Sequence, residues 1–254
     1  MTTVKDIFDA LCEIAPLELQ TDFDNAGFLV GHADAEVRRV VLALDITGAV
    51  IDEAAALDAQ LVVAHHPIIF HPLKSVTAEG EGSLVLRLIE NRLAAICMHT
   101  NLDIAEGGVN DVLIRLLGAE PEDGIDAQNC GRVGAIAEPL PLAAFLTVCK
   151  ERLHCNTIRY YDAGRPVQRL GVMGGAGGGD LASAIARGCD TYVTADIKYS
   201  VFLEAAEKGV NLIDADHFCT ENPVIPVICE RLQAAFPDVD FVLSSYREQL
   251  IRHA

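Results

Sequence analysis

The sequence predicts an α/β protein built from two similar half-domains. Three observations predict it. Short β-branched runs alternate with stretches of helical spacing. That order occurs twice along the 254 residues. After several of the predicted strands the chain turns polar, with histidines or carboxylates in the turn, and ligands in open α/β sheets collect at the carboxyl ends of strands.

The elements follow in order. Val4, Ile7, Phe8 and Leu11 are spaced as one face of a helix, and Asp6 and Glu13 between them argue against a secretory leader. Residues 39–45 (RVVLALD) and 61–64 (LVVA) read as strands flanking an Ala-rich helix, which makes a βαβ unit. A helix over 82–93 leads into a strand over 94–98, and a further helix over 109–117 ends at Gly118. The turn-rich stretch 121–131 marks the expected boundary, giving half-domains of 1–125 and 126–254. In the second half a helix (142–153) and a strand (157–161) precede the repeat of the order. The repeat comprises strand 169–173, helix 180–187, strand 190–194, helix 200–208 and strand 210–214.

Composition narrows the function. Hydrophobic residues make up 51% of the chain, enough for a sizeable core. A net charge of −18 opposes binding to a phosphate backbone, and the longest basic runs are pairs such as Arg38-Arg39. No run approaches the roughly 20 apolar residues of a membrane span. The eight cysteines include no C-x-x-C pair, so the expectation is a reducing cytoplasm, no disulfide framework and no thiolate zinc site. A mean hydropathy of +0.28 suits apolar surface buried between subunits.

The chemistry-bearing residues are His65, His66, Asp103, His217 and Glu221. His65-His66-Pro67 follows the second strand of the first half, and Asp103 follows the third. His217 and Glu221 follow the third strand of the second half. Adjacent histidines on a regular strand point to opposite faces. At a strand end before Pro67, backbone curvature can aim both into one cavity. His217 and Glu221 are four apart, so a helix starting near Asp216 puts both on one face. Imidazoles with carboxylates suit Zn²⁺, Mn²⁺ or Fe²⁺ better than Ca²⁺. One composite site at the strand ends of both halves, holding two divalent ions per chain, is the economical expectation. His32, His71, His154 and His253 read as packed or capping residues. The glycine run at 174–179 has the setting of a phosphate-binding turn but lacks the Gly-Lys-Ser/Thr ending, so a tight strand-to-helix turn is the simpler reading.

Six motifs stand in order over residues 24–221: DNAGFLVG, AHHPIIFHPLKSV, MHTNLDIAEGGVND, GGAGGGD, TADIKY and DADHFCTE. Together they resemble the Nif-three-like proteins, also called GTP cyclohydrolase I type 2 homologs. The resemblance implies two similar α/β halves, a dinuclear metal centre with the ligands His65, His66, Asp103, His217 and Glu221, and Glu221 as the bridging residue. It places His99 and Thr100 near the site, with His99 as candidate proton donor. It also implies a homohexamer, a trimer of dimers, here in a compact form without an inserted middle domain. Two positions depart from the pattern: Asp216, where many relatives have Gly, and Ser200, where many have His. An added carboxylate at 216 is expected to alter metal preference or the bonding around the ligands. The expected activity is metal-dependent hydrolysis of a small substrate, with a nucleotide and cyclohydrolase-like chemistry among the candidates. The alternative is a non-catalytic metal-binding or regulatory protein. No residue identifies the substrate.

Overall fold

The computed structural model describes residues 1–246 and 249–252. The chain opens with α1 (Val4–Ile14), which Thr3 starts through a reciprocal capping box with Asp6. Next come β1 (Gly27–Val30), β2 (Arg39–Ala43), α2 (Gly48–Ala56), β3 (Leu61–Ala64), α3 (Ser83–Glu90), β4 (Ala94–Cys97), α4 (Thr100–Ile104) and α5 (Val109–Leu116). Then follow β5 (Arg132–Leu140), α6 (Leu142–Leu153), β6 (Arg159–Tyr161), β7 (Val167–Val172), α7 (Leu181–Ala186), β8 (Thr191–Thr194) and α8 (Tyr199–Lys208). The chain closes with β9 (Asn211–Asp214), α9 (His217–Glu221), α10 (Val224–Ala235) and β10 (Asp240–Leu243).

Two compact units result. The first is Met1–Ala105 with Ile225–Glu248, and the second is Glu106–Val224 with Gln249–Ala254. The expected single cut between 125 and 126 does not describe this division. β10 returns to the first sheet, where Asp240–Leu243 pair in parallel with Arg39–Leu42. The Glu53 carboxylate fixes that return by accepting from Ser245 N at 2.9 Å and from both serine hydroxyls, Ser244 and Ser245.

The first unit holds a sheet of order β1-β4-β3-β2-β10, parallel except for β1, which runs antiparallel to β4. Its β3 and β4 are buried along their whole length, which is why LVVA and AAIC read as unbroken apolar runs. Val41, Val62 and Ala95 pack with Val50, Ile51 and Ala54 of α2 and Val85 and Leu88 of α3. Burying each larger side chain stabilises by about 1.5–3 kcal/mol.

The second unit holds a sheet of order β5-β7-β8-β9-β6, with both edge strands antiparallel to their neighbours. Its period-2 pleat sorts neighbouring residues into two cores. Val193 and Ile213 join Phe145 and Cys149 of α6, whereas Tyr192 and Leu212 join Leu181 and Ala184 of α7. Both sheet faces are therefore covered within this unit.

The strand and helix runs expected from the sequence are present with small changes at their ends. Among the described residues, β1, α4, β5, α10 and β10 carry no sequence expectation and are regular here. Among the described residues no helix is long and apolar enough to cross a membrane.

Candidate metal centre

The first donor set is built at the ends of β3 and β4. The backbone N–H groups of His65 and His66 both donate to Leu44 O, at 3.2 and 3.0 Å. Two successive donors converging on one carbonyl break the strand's alternation, as in a bulge. The two rings consequently lie 5.0 Å apart, centroid to centroid, instead of on opposite faces. His65 is fully buried, and its Nδ1–H donates to Met98 O at 2.8 Å. Its Nε2 lies 3.7 Å from Asp103 Oδ1, on α4. His66 Nδ1 lies 2.7 Å from Asp45 Oδ1.

His99 stands at the N-terminus of α4, its ring 5.1 Å from that of His65 and 5.7 Å from that of His66. Its Nδ1 is 2.7 Å from Asp24 Oδ1. The other Asp24 oxygen accepts from Thr100 N at 2.9 Å and from the Thr100 hydroxyl. Burial alone would push the Asp24 carboxyl up, but the His99 and Thr100 hydrogen bonds outweigh it and hold the group down at about 2. Asp24 is therefore an ionised, fully enclosed carboxylate that fixes the His99 ring.

The second donor set sits on α9. His217 and Glu221 share one face of this helix, with Nε2 and Oε2 3.0 Å apart. His217 Nδ1 is 2.7 Å from Asp196 Oδ2. Burial acts to lower the His217 pKa, but Glu221 and Asp196 outweigh it and raise it to about 9. Glu221 is buried, and Gly175 forms the wall behind it. A Cβ at Gly175 would sit 2.1 Å from Glu221 Oε1 and 3.2 Å from His217 Cε1, and the φ of +64° there is glycine-like.

One pattern runs through both sets. In each of the four imidazoles Nδ1 is engaged by an oxygen, from Met98 O, Asp45, Asp24 or Asp196. With Nδ1 engaged, the nitrogen that would ligate a metal is Nε2, which lies beside a carboxylate in His65 (3.7 Å from Asp103 Oδ1) and in His217 (3.0 Å from Glu221 Oε2). A ring held at one nitrogen by a carbonyl or carboxylate is the usual state of a metal-binding histidine. The donor chemistry therefore fits a divalent transition metal. Sequence reasoning did not find Asp45, Asp24 and Asp196 in this role. The signal was present for two of them, since Asp45 and Asp196 each precede their histidine by 21 residues, across one helix.

The glycine run is a turn, as the simpler reading expected. The N–H of Gly174 donates to Asn110 Oδ1 at 2.8 Å, that of Gly175 to Thr220 Oγ1 at 3.0 Å and that of Gly177 to Thr194 Oγ1 at 2.9 Å. Those donors are committed to side chains rather than presented to an anion. Asp216 adopts a φ of +72°, which explains why glycine suits this position, and its carboxylate caps α9 by accepting from Cys219 N at 3.2 Å. Its oxygen also accepts from Gln249. Ser200 is exposed in the first turn of α8. His32 and His71 are exposed, and His154 is the left-handed C-cap of α6. His253 lies outside the described residues. Burial pushes the thiols of Cys97 and Cys149 up to about 12, which keeps both protonated at neutral pH.

Two α/β units, one with three oxygen-anchored imidazoles and the other with one, each beside carboxylates at strand ends, define an α/β protein with candidate metal-binding groups. The family model described as Duf34/NIF3 (NGG1p interacting factor 3) matches residues 2–249. The chain belongs to this family. A Clostridium perfringens relative, "GTP cyclohydrolase 1 type 2 homolog", is 30% identical over 95% of each chain. A Helicobacter pylori relative, "GTP cyclohydrolase 1 type 2", is 29% identical over 92% of this chain and 93% of its own. Among solved structures, a Bacillus cereus protein related to NIF3 superimposes with a TM-score of 0.91 at 22% identity, covering 100% of this chain and 99% of that one. This last likeness establishes the fold.

Proposed function

We propose that the protein holds two divalent transition-metal ions through His65, His66, Asp103, His217 and Glu221 and hydrolyses a small substrate with them. The observation that carries this reading is the uniform anchoring of the imidazoles through Nδ1, which would make Nε2 the metal-ligating nitrogen. The reading requires both donor sets to serve one dinuclear centre, with Glu221 as the shared carboxylate. Zinc, manganese and iron all accept such donors. Paired divalent ions supply activation of water and stabilisation of developing negative charge.

The chain's own residues supply the rest. Asp45, Met98 O and Asp196 orient the ligand rings, and Gly175 leaves room for the Glu221 carboxylate. In this reading His99, oriented by Asp24, takes or gives a proton at Nε2. The names of the relatives point to a nucleotide as the substrate to try first. By the same reading the protein works as a homohexamer, a trimer of dimers, in the cytoplasm. Exposed Phe23, Tyr199 and Leu203 support association, and the eight free cysteines support a reducing compartment.

The test is elemental analysis of protein purified without added metal or chelator, followed by titration with Zn²⁺ and Mn²⁺. About two ions per wild-type chain, lost in a folded His65→Ala/Glu221→Gln variant, is the expected result. Failure to bind either metal overturns the reading. Two ions with no turnover of nucleotides, phosphates or esters would keep the metal centre and replace the hydrolase with the non-catalytic alternative.

A further inference from the structure

His99 belongs to neither ligand group of the proposed dinuclear centre, yet it shares every property of the ligands near it. One ring nitrogen from each of His65, His66 and His99 lies within 4.8 Å of those of the other two. All three rings are anchored at Nδ1 by oxygen, from Met98 O, Asp45 and Asp24 respectively. All three residues and their anchors belong to the first unit. His65 is fully buried, and the Asp24 side chain that holds His99 is fully enclosed.

We infer that the first unit carries a complete three-imidazole site, His65, His66 and His99, able to hold one divalent ion without the donors of α9. This inference rests on the proposed metal centre and adds to it a separate, single-ion state. The physical case has three parts. Three protein ligands with an open fourth position are the usual complement of a catalytic zinc site. An all-imidazole set selects Zn²⁺ or Co²⁺ over Mn²⁺ or Mg²⁺, which prefer oxygen. The ring orientations are fixed before any ion arrives, because each Nδ1 is already committed. The doubled hydrogen bond to Leu44 O, which puts His65 and His66 side by side, removes the obstacle that a regular strand would pose.

The consequence is an order of filling. An ion enters at the three histidines first. Were the α9 donors then to complete the dinuclear centre of the proposed function, His65 and His66 would serve its two ions, and His99 would be available for the proton transfer proposed above.

The test uses the full-length chain with the α9 donors removed, His217→Ala/Glu221→Gln. The protein is stripped, loaded with Zn²⁺ and desalted, and metal is counted beside wild type. About one Zn²⁺ per variant chain against two for wild type is the expected result, with Mn²⁺ failing to replace it. Adding His99→Gln, whose amide N–H can still satisfy Asp24, should cut Zn²⁺ affinity at least 100-fold. Zinc X-ray absorption of the double variant should show three imidazole nitrogens, and this does not depend on the folding of any His99 variant. Two nitrogens, or no zinc on a folded double variant whose wild type holds two ions, would overturn the inference and leave the dinuclear centre standing. A wild type that binds no metal would remove both.

Discussion

The segments β2–α2–β3 and β8–α8–β9 are the same device used twice. In each, an Asp just past the first strand holds the Nδ1 of a His just past the second, 21 residues later: Asp45 with His66, and Asp196 with His217. The sheets also correspond, but with β2 matching β7 and β3 matching β8, so the two Asp–His devices are offset by one strand. β1-β4-β3-β2 and β6-β9-β8-β7 have the same order, with an antiparallel strand beside the last of three parallel ones. The third parallel strand in each sheet runs into a His-x-x-x-acid turn, His99 to Asp103 and His217 to Glu221. The differences are instructive. His99 takes its anchoring carboxylate from Asp24, which lies before β1, whereas His217 takes it from Asp196 at the neighbouring strand end. The strand-end histidine of the turn is common to both units, and the carboxylate that aims it has a different origin in each. The fifth strand also differs, parallel β10 in one sheet and antiparallel β5 in the other.

The largest expected effect breaks the second unit's donor set without touching a ligand. Gly175→Ala places a methyl 2.1 Å from Glu221 Oε1 at a φ of +64°. The backbone strain costs about 1–3 kcal/mol. The displaced Glu221 should cost at least 10-fold in affinity for the second ion. Gly31→Ala is the matching change in the first unit. There the Cβ meets the Ala94 backbone at 2.8 Å with a φ of +109°, so stability falls while metal content stays. Denaturation and metal titration of both variants separate the two. Equal metal loss in both would show that Gly175 acts through the fold alone.

A smaller effect distinguishes the two anchoring carboxylates. Asp24 is fully enclosed and held at about 2. A carboxylate with a lowered folded pKa stabilises fully above its unfolded value of 3.8, and the contribution disappears as pH falls through about 2. Asp24→Asn should therefore cost about 2 kcal/mol near neutral pH, with the gap from wild type closing between pH 4 and 2. Asp196 is 57% exposed, and Asp196→Asn should cost under about 1 kcal/mol. Urea denaturation across pH measures both. A gap for Asp24→Asn that stays constant with acid would assign its loss to packing instead of charge.

The sequence made the repeated βαβ order legible because the central strands of the first sheet are continuously apolar and the helices end at recognisable signals, such as Gly209 after α8. It missed β10 because DFVL is only four residues and gains its strand character by pairing with Arg39–Leu42, far away in the chain. It missed β5 because Gly134 and Pro139 interrupt the apolar pattern, and the pairing with β7 shifts register between Ala135 and Leu140. The ligand candidates were visible as histidines and carboxylates after strands. The convergence of His65 and His66 was not, since it depends on a shared carbonyl acceptor that no side-chain pattern encodes. Asp24 stood within a recognised motif, but its partner is 75 residues away.

The smallest effect tests whether the helices after β2 and β7, which occupy matching places in the two sheets, begin in the same way. α2 starts with Thr47, whose Oγ1 accepts from Val50 N at 3.3 Å. α7 follows Asp180, whose carboxylate makes no capping bond. Burial, reinforced by Asp126, instead pushes the Asp180 carboxyl up, so its charged form is disfavoured in the fold. Thr47→Ala should cost about 1 kcal/mol. Asp180→Ala removes no cap and relieves a disfavoured charge, so its stability should equal or exceed that of wild type by up to about 0.5 kcal/mol. The sign follows from linkage. A carboxyl raised in the fold costs stability above its unfolded pKa of 3.8, so any gain should appear near neutral pH and vanish in acid. A loss at Asp180 as large as that at Thr47 would mean that the two helix starts are equivalent after all.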